Sequence, residues 1–222
     1  MGFNGGNDLL NIVKTPDIMK FTDGYNIPKV KRLVLKDVDE GLNLVEFHGC
    51  SGLGKRARKQ SVPHFFLNDY LFERVWNDPK RNLDFLSTFK AVLSPDFSQY
   101  TDMPRALNIY NHYRKMWVSA YWQAYGLKVI PVAGWSDEES FEYCFDGMPR
   151  NSLIAVSTVG VMTNPNFEEN FRRGFEEMMR RLEPAQLLLY GKKPSWLEVD
   201  IPVLQFKPES NKRFEKLREN KS

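Results

Sequence analysis

Cysteine is scarce in this chain: only Cys50 and Cys144 occur among 222 residues, far apart in sequence. Neither belongs to a Cys-x-x-Cys pair and no histidine completes a zinc spacing, which excludes a disulfide scaffold and a structural zinc site. Histidine is also scarce, with three residues. No apolar run approaches the ~20 residues of a membrane-crossing helix. The opening Met-Gly-Phe-Asn-Gly-Gly has no basic start and no apolar stretch, which argues against a secretory signal. Gly6 stands where a myristoylation motif needs Ser or Thr. These absences point to a reducing, cytoplasmic setting with no membrane association.

What is present is the composition of an ordinary folded domain, 42% hydrophobic and 27% charged, and the length suits one core rather than two. The net charge of +3 is unevenly spread. No acid falls between Glu46 and Asp69, where Lys55, Arg56, Arg58 and Lys59 cluster, and from Lys207 onward six basic residues face three glutamates. A net-acidic body thus carries a basic loop and a basic tail, either of which could hold a polyanion or simply aid solubility.

Four regions of one domain follow: an irregular arm rich in Gly, Pro, Asn and Asp (1–30), a hairpin and basic loop (31–61), a βα core (62–206) and the tail (207–222). Within the second region Arg32–Leu35 and Leu42–Phe47 read as an antiparallel pair across a turn-rich link, followed by a mobile loop from Gly49 to Ser61. The core alternates short apolar runs with helical patterns. Strands are expected at His64–Leu67, Ala91–Leu93, Lys128–Val132, Leu153–Val156, Gln186–Leu189 and Val203–Phe206. Helices are expected through Phe72 and Trp76, from Met103 to Tyr125, from Ser136, and over Glu168–Leu182. In the last of these, Phe167, Phe171, Phe175, Met178, Met179 and Leu182 share a face, the arginines lie opposite, and Pro184 ends it. The fold class is α/β, a mostly parallel sheet or an incomplete or modified (βα) barrel of about six βα units.

In both architectures ligands sit at the carboxyl ends of the strands. The residues that follow each strand are Asn68, Asp69 and Tyr70, then Ser94, Asp96, Ser98, Tyr100 and Asp102. After these come Trp135, Ser136 and Asp137, then Ser157 and Thr158, then Tyr190 and Lys192. Carboxylates gathered on one rim would bind a hard cation such as Mg or Mn, or raise one pKa for acid–base work. Asp102 and Ser136-Asp137 also occupy positions suited to helix N-caps, whereas Asp69 and Asp96 directly follow strands and are less well explained that way. His64 and His112 read as packing residues. Gly49-Cys-Ser-Gly-Leu-Gly-Lys55 fits a phosphate-loop spacing, but Arg56 replaces the metal-binding hydroxyl and no amphipathic helix follows.

Several stretches together resemble an uncharacterised family encoded by phages, plasmids and integrated elements of Gram-positive bacteria. They are His64-Phe-Phe-Leu-Asn-Asp-Tyr70, Val92-Leu-Ser-Pro-Asp-Phe-Ser98 with Thr101-Asp-Met-Pro104, and Val129-Ile-Pro131 with Trp135-Ser136. Phe141–Gly147, Ala155-Val-Ser-Thr-Val-Gly160 and Leu189-Tyr-Gly191 complete the set. The resemblance spans Val62–Gly191 and implies a mobile-element protein in a bacterial cytoplasm, with no activity attached. Two functions follow as expectations. In the first, Asp69, Asp96 and Asp102 form the working site of a hydrolase-type enzyme acting on a nucleotide-like or phosphorylated substrate. There Ser94, Ser98, Ser136, Asp137, Ser157, Thr158 and Lys192 hold polar groups, and Tyr70, Tyr100, Trp135 and Tyr190 supply rings. The second is a non-catalytic module that binds nucleic acid or a host protein through Lys55, Arg56, Arg58 and Lys59.

Overall fold

Among the described residues seven strands follow one another in space in the order they occur in the chain, and each ladder between them is parallel. The computed structural model describes residues 17–34, 36 and 41–208. The first sixteen residues of the arm, the turn of the expected hairpin and the basic tail beyond 208 lie outside them. The strands are β1 (Asn43–Glu46), β2 (Ser61–His64), β3 (Val92–Leu93), β4 (Val129–Ile130), β5 (Leu153–Ser157), β6 (Gln186–Tyr190) and β7 (Val203–Phe206). Ladders join β1 to β2, β3 to β4, and β5 through β6 to β7. Single links bridge the gaps. Lys90 N donates to Ser61 O at 3.2 Å, and Ala155 both donates to Pro131 O and accepts from Ala133 N. The protein is therefore α/β with parallel pairing, as the alternation of apolar runs and helical patterns requires.

The side chains explain the layering. Leu44, Val62, Ala91, Leu93, Ile130, Val132, Leu153, Ala155, Leu188 and Tyr190 form one buried cluster drawn from six strands. Their neighbours in sequence, Val92, Val129, Ile154, Val156, Leu187 and Leu189, turn the other way into clusters shared with the helices. Both faces are covered, which is why these strands read as continuous apolar runs. The sheet is also strongly curved. The His64 ring on β2 lies 4.6 Å from that of Tyr190 on β6, although four strand spacings on a flat sheet would separate them by about 19 Å.

Two long helices pack outside the strands, α4 (Arg105–Ala124) and α5 (Pro165–Leu182); α1 (Lys55–Arg58), α2 (Arg74–Asn77) and α3 (Leu83–Leu86) are single turns. Asn164 caps α5 by accepting from Asn166 N at 2.8 Å, with Pro165 in the first turn. The helix thus begins three residues before the expected Glu168. Phe171, Phe175, Met178 and Leu182 are buried on it as expected, but Phe167 is 56% exposed.

Other expectations are corrected. Among the described residues the strand expected to close an antiparallel hairpin, Asn43–Glu46, pairs in parallel with Ser61–His64, and Leu33 exchanges hydrogen bonds with Leu153 and Ser152. The basic segment is not an irregular loop but a 3-10 turn, Phe47–Gly52, followed by α1. Strand β2 ends at His64 rather than beginning there. Phe65 and Phe66 have strand-like side chains, but they pack into different clusters as the chain leaves the ladder. The helix expected from Ser136 is a short 3-10 turn, Glu138–Glu142. Cys144 just beyond it and Cys50 are both buried free thiols, pushed up to about 12 chiefly by desolvation. That makes them poor nucleophiles.

Candidate acid–base site at the ends of β2 and β3

Strands β2 and β3 are in contact, and the segments that leave them meet through Asp69 and Ser98. After β2, Asp69 opens a 3-10 turn, Asp69–Leu71. Its carboxylate accepts from Ser98 N at 3.2 Å and from Ser98 Oγ at 2.8 Å. Tyr100 Oη in turn donates to Ser98 Oγ at 3.1 Å. The segment after β3 is held against α4 by amide side chains. Asn111 Nδ2 donates to Ser98 O, and Asn108 both accepts from Tyr100 N and donates to Tyr100 O. Arg114, 3.9 Å from the centroid of the Phe97 ring, pairs with Glu73 at 2.5 Å. A polar face of one helix therefore fixes the backbone on which Asp96 and Ser98 stand.

Asp96 is the centre of this arrangement. Its Oδ1 lies 3.7 Å from Lys115 Nζ, too far for a hydrogen bond; the Lys115 side chain is fully buried and that of Asp96 is 29% exposed. Burial is the largest influence on Asp96 and pushes its carboxyl up to about 6. Lys115 opposes this and the charge of Asp69 adds to it. Lys115 Nζ has no hydrogen-bond partner. Three residues along, His112 is buried with Nε2 2.9 Å from Asp146 O, and desolvation with the nearby Lys115 lowers it to about 3, so its ring is neutral.

The structure thus brings together Asp69, Asp96, Ser98 and Tyr100, with Tyr70 beside Asp69 and 76% exposed. The other expected residues make their contacts elsewhere. Asp102 is exposed before α4, whose N-cap is Pro104. Ser94 is buried and accepts from Ser119 Oγ at 2.8 Å. Asp137, not Ser136, caps the 3-10 turn, in a reciprocal arrangement with Ser140. Trp135 packs on Phe171 and fills the space above Gly174. Ser157 Oγ accepts from Val159 N, and Thr158 Oγ1 donates to Lys192 O at 2.8 Å. The Tyr190 ring stacks 4.9 Å from Phe66. Of the basic cluster, Lys55, Arg56 and Lys59 are exposed, while Arg58 folds back over Phe85 and donates to Leu53 O.

Lys115 was not among the expected residues, although its signal is in the sequence. Asn108, Asn111, His112, Lys115 and Ser119 recur at three- and four-residue spacing along the aromatic helix and mark a polar stripe. The residues present do not fit the expected Mg or Mn. No group of three or more His, Cys, Asp or Glu side chains among the described residues could hold a metal ion, and an ammonium beside Asp96 opposes a second cation.

No helix among the described residues is long and apolar enough to cross a membrane. No solved structure matches the chain. Among curated proteins, the Gene 1 protein of Mycobacterium phage L5 is 41% identical over 152 residues, covering 68% of this chain and 66% of that protein. The Gene 1 protein of Mycobacterium phage D29 is 40% identical over 145 residues, covering 65% and 54%. The chain therefore spans between about half and two thirds of these relatives. The match to an uncharacterised, phage-borne group extends well beyond the stretch that first suggested it. A family model described as a domain of unknown function (DUF4417) covers residues 19–207, and the chain belongs to that family.

Proposed function

We propose that this protein is an enzyme built on an incomplete (βα) barrel, with Asp96 as the proton-transferring group on a nucleotide-like or phosphorylated substrate. The observation that carries the reading is that Asp96, partly exposed, stands 3.7 Å from a buried ammonium and feels the charge of a second carboxylate, Asp69. A carboxyl held near 6 exchanges protons in both directions close to neutral pH, the property a general acid–base catalyst needs. The contact of β2 with β6 supports the barrel, whose carboxyl-end rim is where such sites are built. The hydrogen-bonded series Tyr100–Ser98–Asp69 starts at an exposed ring and holds in place the carboxylate whose charge acts on Asp96. Exposed Tyr70 and Tyr100 offer rings to a base or sugar. The chemistry proposed is a hydrolase-type reaction assisted by protons rather than by a divalent metal.

The test is a turnover screen of the full chain against nucleotides and sugar phosphates. The Asp96→Asn variant is expected to stay folded, with a cooperative melt, and to lose roughly 10²-fold or more of the rate. An active wild type matched by Asp96→Asn would reject the assignment. No specific observation favours the alternative, a binding module working through the basic cluster. Arg58 is already engaged within its own segment.

A further inference from the structure

Gly134, which follows β4, leaves a small space between the two charged groups of the site. A Cβ added there would lie 3.5 Å from Lys115 Nζ and 3.6 Å from Asp96 Oδ1, with no other atom within 4 Å apart from its chain neighbours. The space is therefore bounded by one strong donor and one carboxylate oxygen. Because those two atoms are 3.7 Å apart, a single ligand atom can stand at about 2.8 Å from each. Three protons are available on a lysine ammonium and none of these is used here. A buried donor in that state calls for a partner that the chain itself does not supply.

We propose that this space receives a ring hydroxyl of the substrate, the 2′ or 3′ group of a ribose whose 5′ oxygen carries the phosphate, so that the site recognises a sugar or nucleoside through its ring hydroxyls. This deepens the reading of the site as an enzyme on nucleotide-like substrates and rests on it. A hydroxyl is the group that fits both neighbours, since it accepts from Lys115 and donates to Asp96 at once. A phosphate or carboxylate oxygen satisfies the ammonium but meets an ionised Asp96, and an ammonium group meets the reverse conflict. The absence of a side chain on Gly134 and the partial exposure of Asp96 give the approach. Tyr100, 56% exposed and anchored through its hydroxyl on Ser98, stands at the edge of the same segment, where a sugar face can rest on its ring.

The test is an NMR titration of the full chain with uridine, D-ribose and 2′,3′-dideoxyuridine, following the Gly134 amide and the side-chain signals of Lys115 and Asp96. Uridine and ribose are expected to move these signals saturably and dideoxyuridine to leave them in place. Gly134→Ala sets its methyl at ordinary contact distance from both groups and on an unstrained backbone. It should keep the melting temperature and weaken uridine binding at least about tenfold, because the methyl occupies the hydroxyl's position and removes two charge-assisted hydrogen bonds. Equal binding of dideoxyuridine, equal binding by Gly134→Ala, or no saturable shift with either sugar would overturn the proposal and leave an ordered water as the occupant. The two readings fail separately. If hydroxyl recognition fails while Asp96→Asn still abolishes turnover, the acid–base assignment stands with another substrate group. If Asp96→Asn is fully active, that assignment falls whatever the titration shows.

Discussion

The two long helices among the described residues cover the same kind of sheet in opposite ways. Helix α5 buries Phe171, Phe175, Met178 and Leu182 and sends its charges outward. There they are paired along the helix: Glu177 with Arg180 and Arg181, and Glu169 with Arg172 and Arg173. Helix α4 buries Asn108, Asn111, His112, Arg114, Lys115 and Ser119 along with its aromatics. Among the described residues, His112, Arg114 and Lys115 each keep a buried nitrogen with no hydrogen-bond partner, and α5 has none. Leaving such groups unmatched costs stability, so α5 has the pattern of a helix shaped for packing and α4 that of one shaped for a site. The contrast teaches where to look for chemistry in an α/β fold: beside the helix that accepts polar groups into the core.

The largest test of the comparison is on the packing side. Phe175→Ala removes a ring that touches both Phe171 and Trp196 and is expected to cost about 3–5 kcal/mol, read from denaturant unfolding with unchanged slope. A loss below about 1 kcal/mol would mean that α5 is not the packing helix described. The next test carries the opposite sign. Replacing Lys115 by Met together with Asp96 by Asn removes a poorly matched charge pair and should leave stability unchanged or raise it by about 1–4 kcal/mol. A marked loss would show that the pair serves the fold rather than a site.

The pH dependence sharpens the contrast further. Asp96 is raised from 3.8 to about 6 in the folded chain, so the native state holds its proton more tightly than the unfolded one. Its contribution is fully present below about pH 4 and is lost as pH rises to about 6. His112, lowered from 6.5 to about 3, acts in the other direction, and its contribution is lost as pH falls through that range. Subtracting the stability profile of Asp96→Asn from that of wild type should isolate a falling limb between pH 4 and 6, on the order of 1 kcal/mol after allowance for solvent screening. A flat difference would remove the argument for Asp96 as a proton carrier. The smallest effect is expected at α5. Glu177→Gln breaks surface pairs with Arg180 and Arg181 and should change stability by only about 0.2–1 kcal/mol, most visibly at low salt.

Much of this was legible from residue order. The alternation of apolar runs with helical patterns gave the α/β class and the parallel ladders, because a strand covered on both faces must be apolar throughout. The packing face of α5 followed from its three- and four-residue spacing. Asp69 and Asp96 stood out because each follows an apolar run closely, and their segments do leave adjacent strands. Asp102, Ser136, Asp137, Thr158 and Lys192 carried the same signal, but Asp102 is exposed and the others make other contacts. A position after a strand fixes an end of the sheet, not the direction of a side chain or the partner it finds.

The sequence by itself thus determined the class of fold, the order of the core strands and of the two long helices, and the family, since all of these depend on local pattern and motif. Tertiary structure alone decided that Lys115 lies against Asp96, that the space over Gly134 is bounded by those two groups, and that β2 meets β6 across a curved sheet. The physical reason is that each of these depends on contacts between distant segments. Burial, the proximity of two charges and the absence of a neighbour exist only once those segments have packed, and no pattern along a single segment records them.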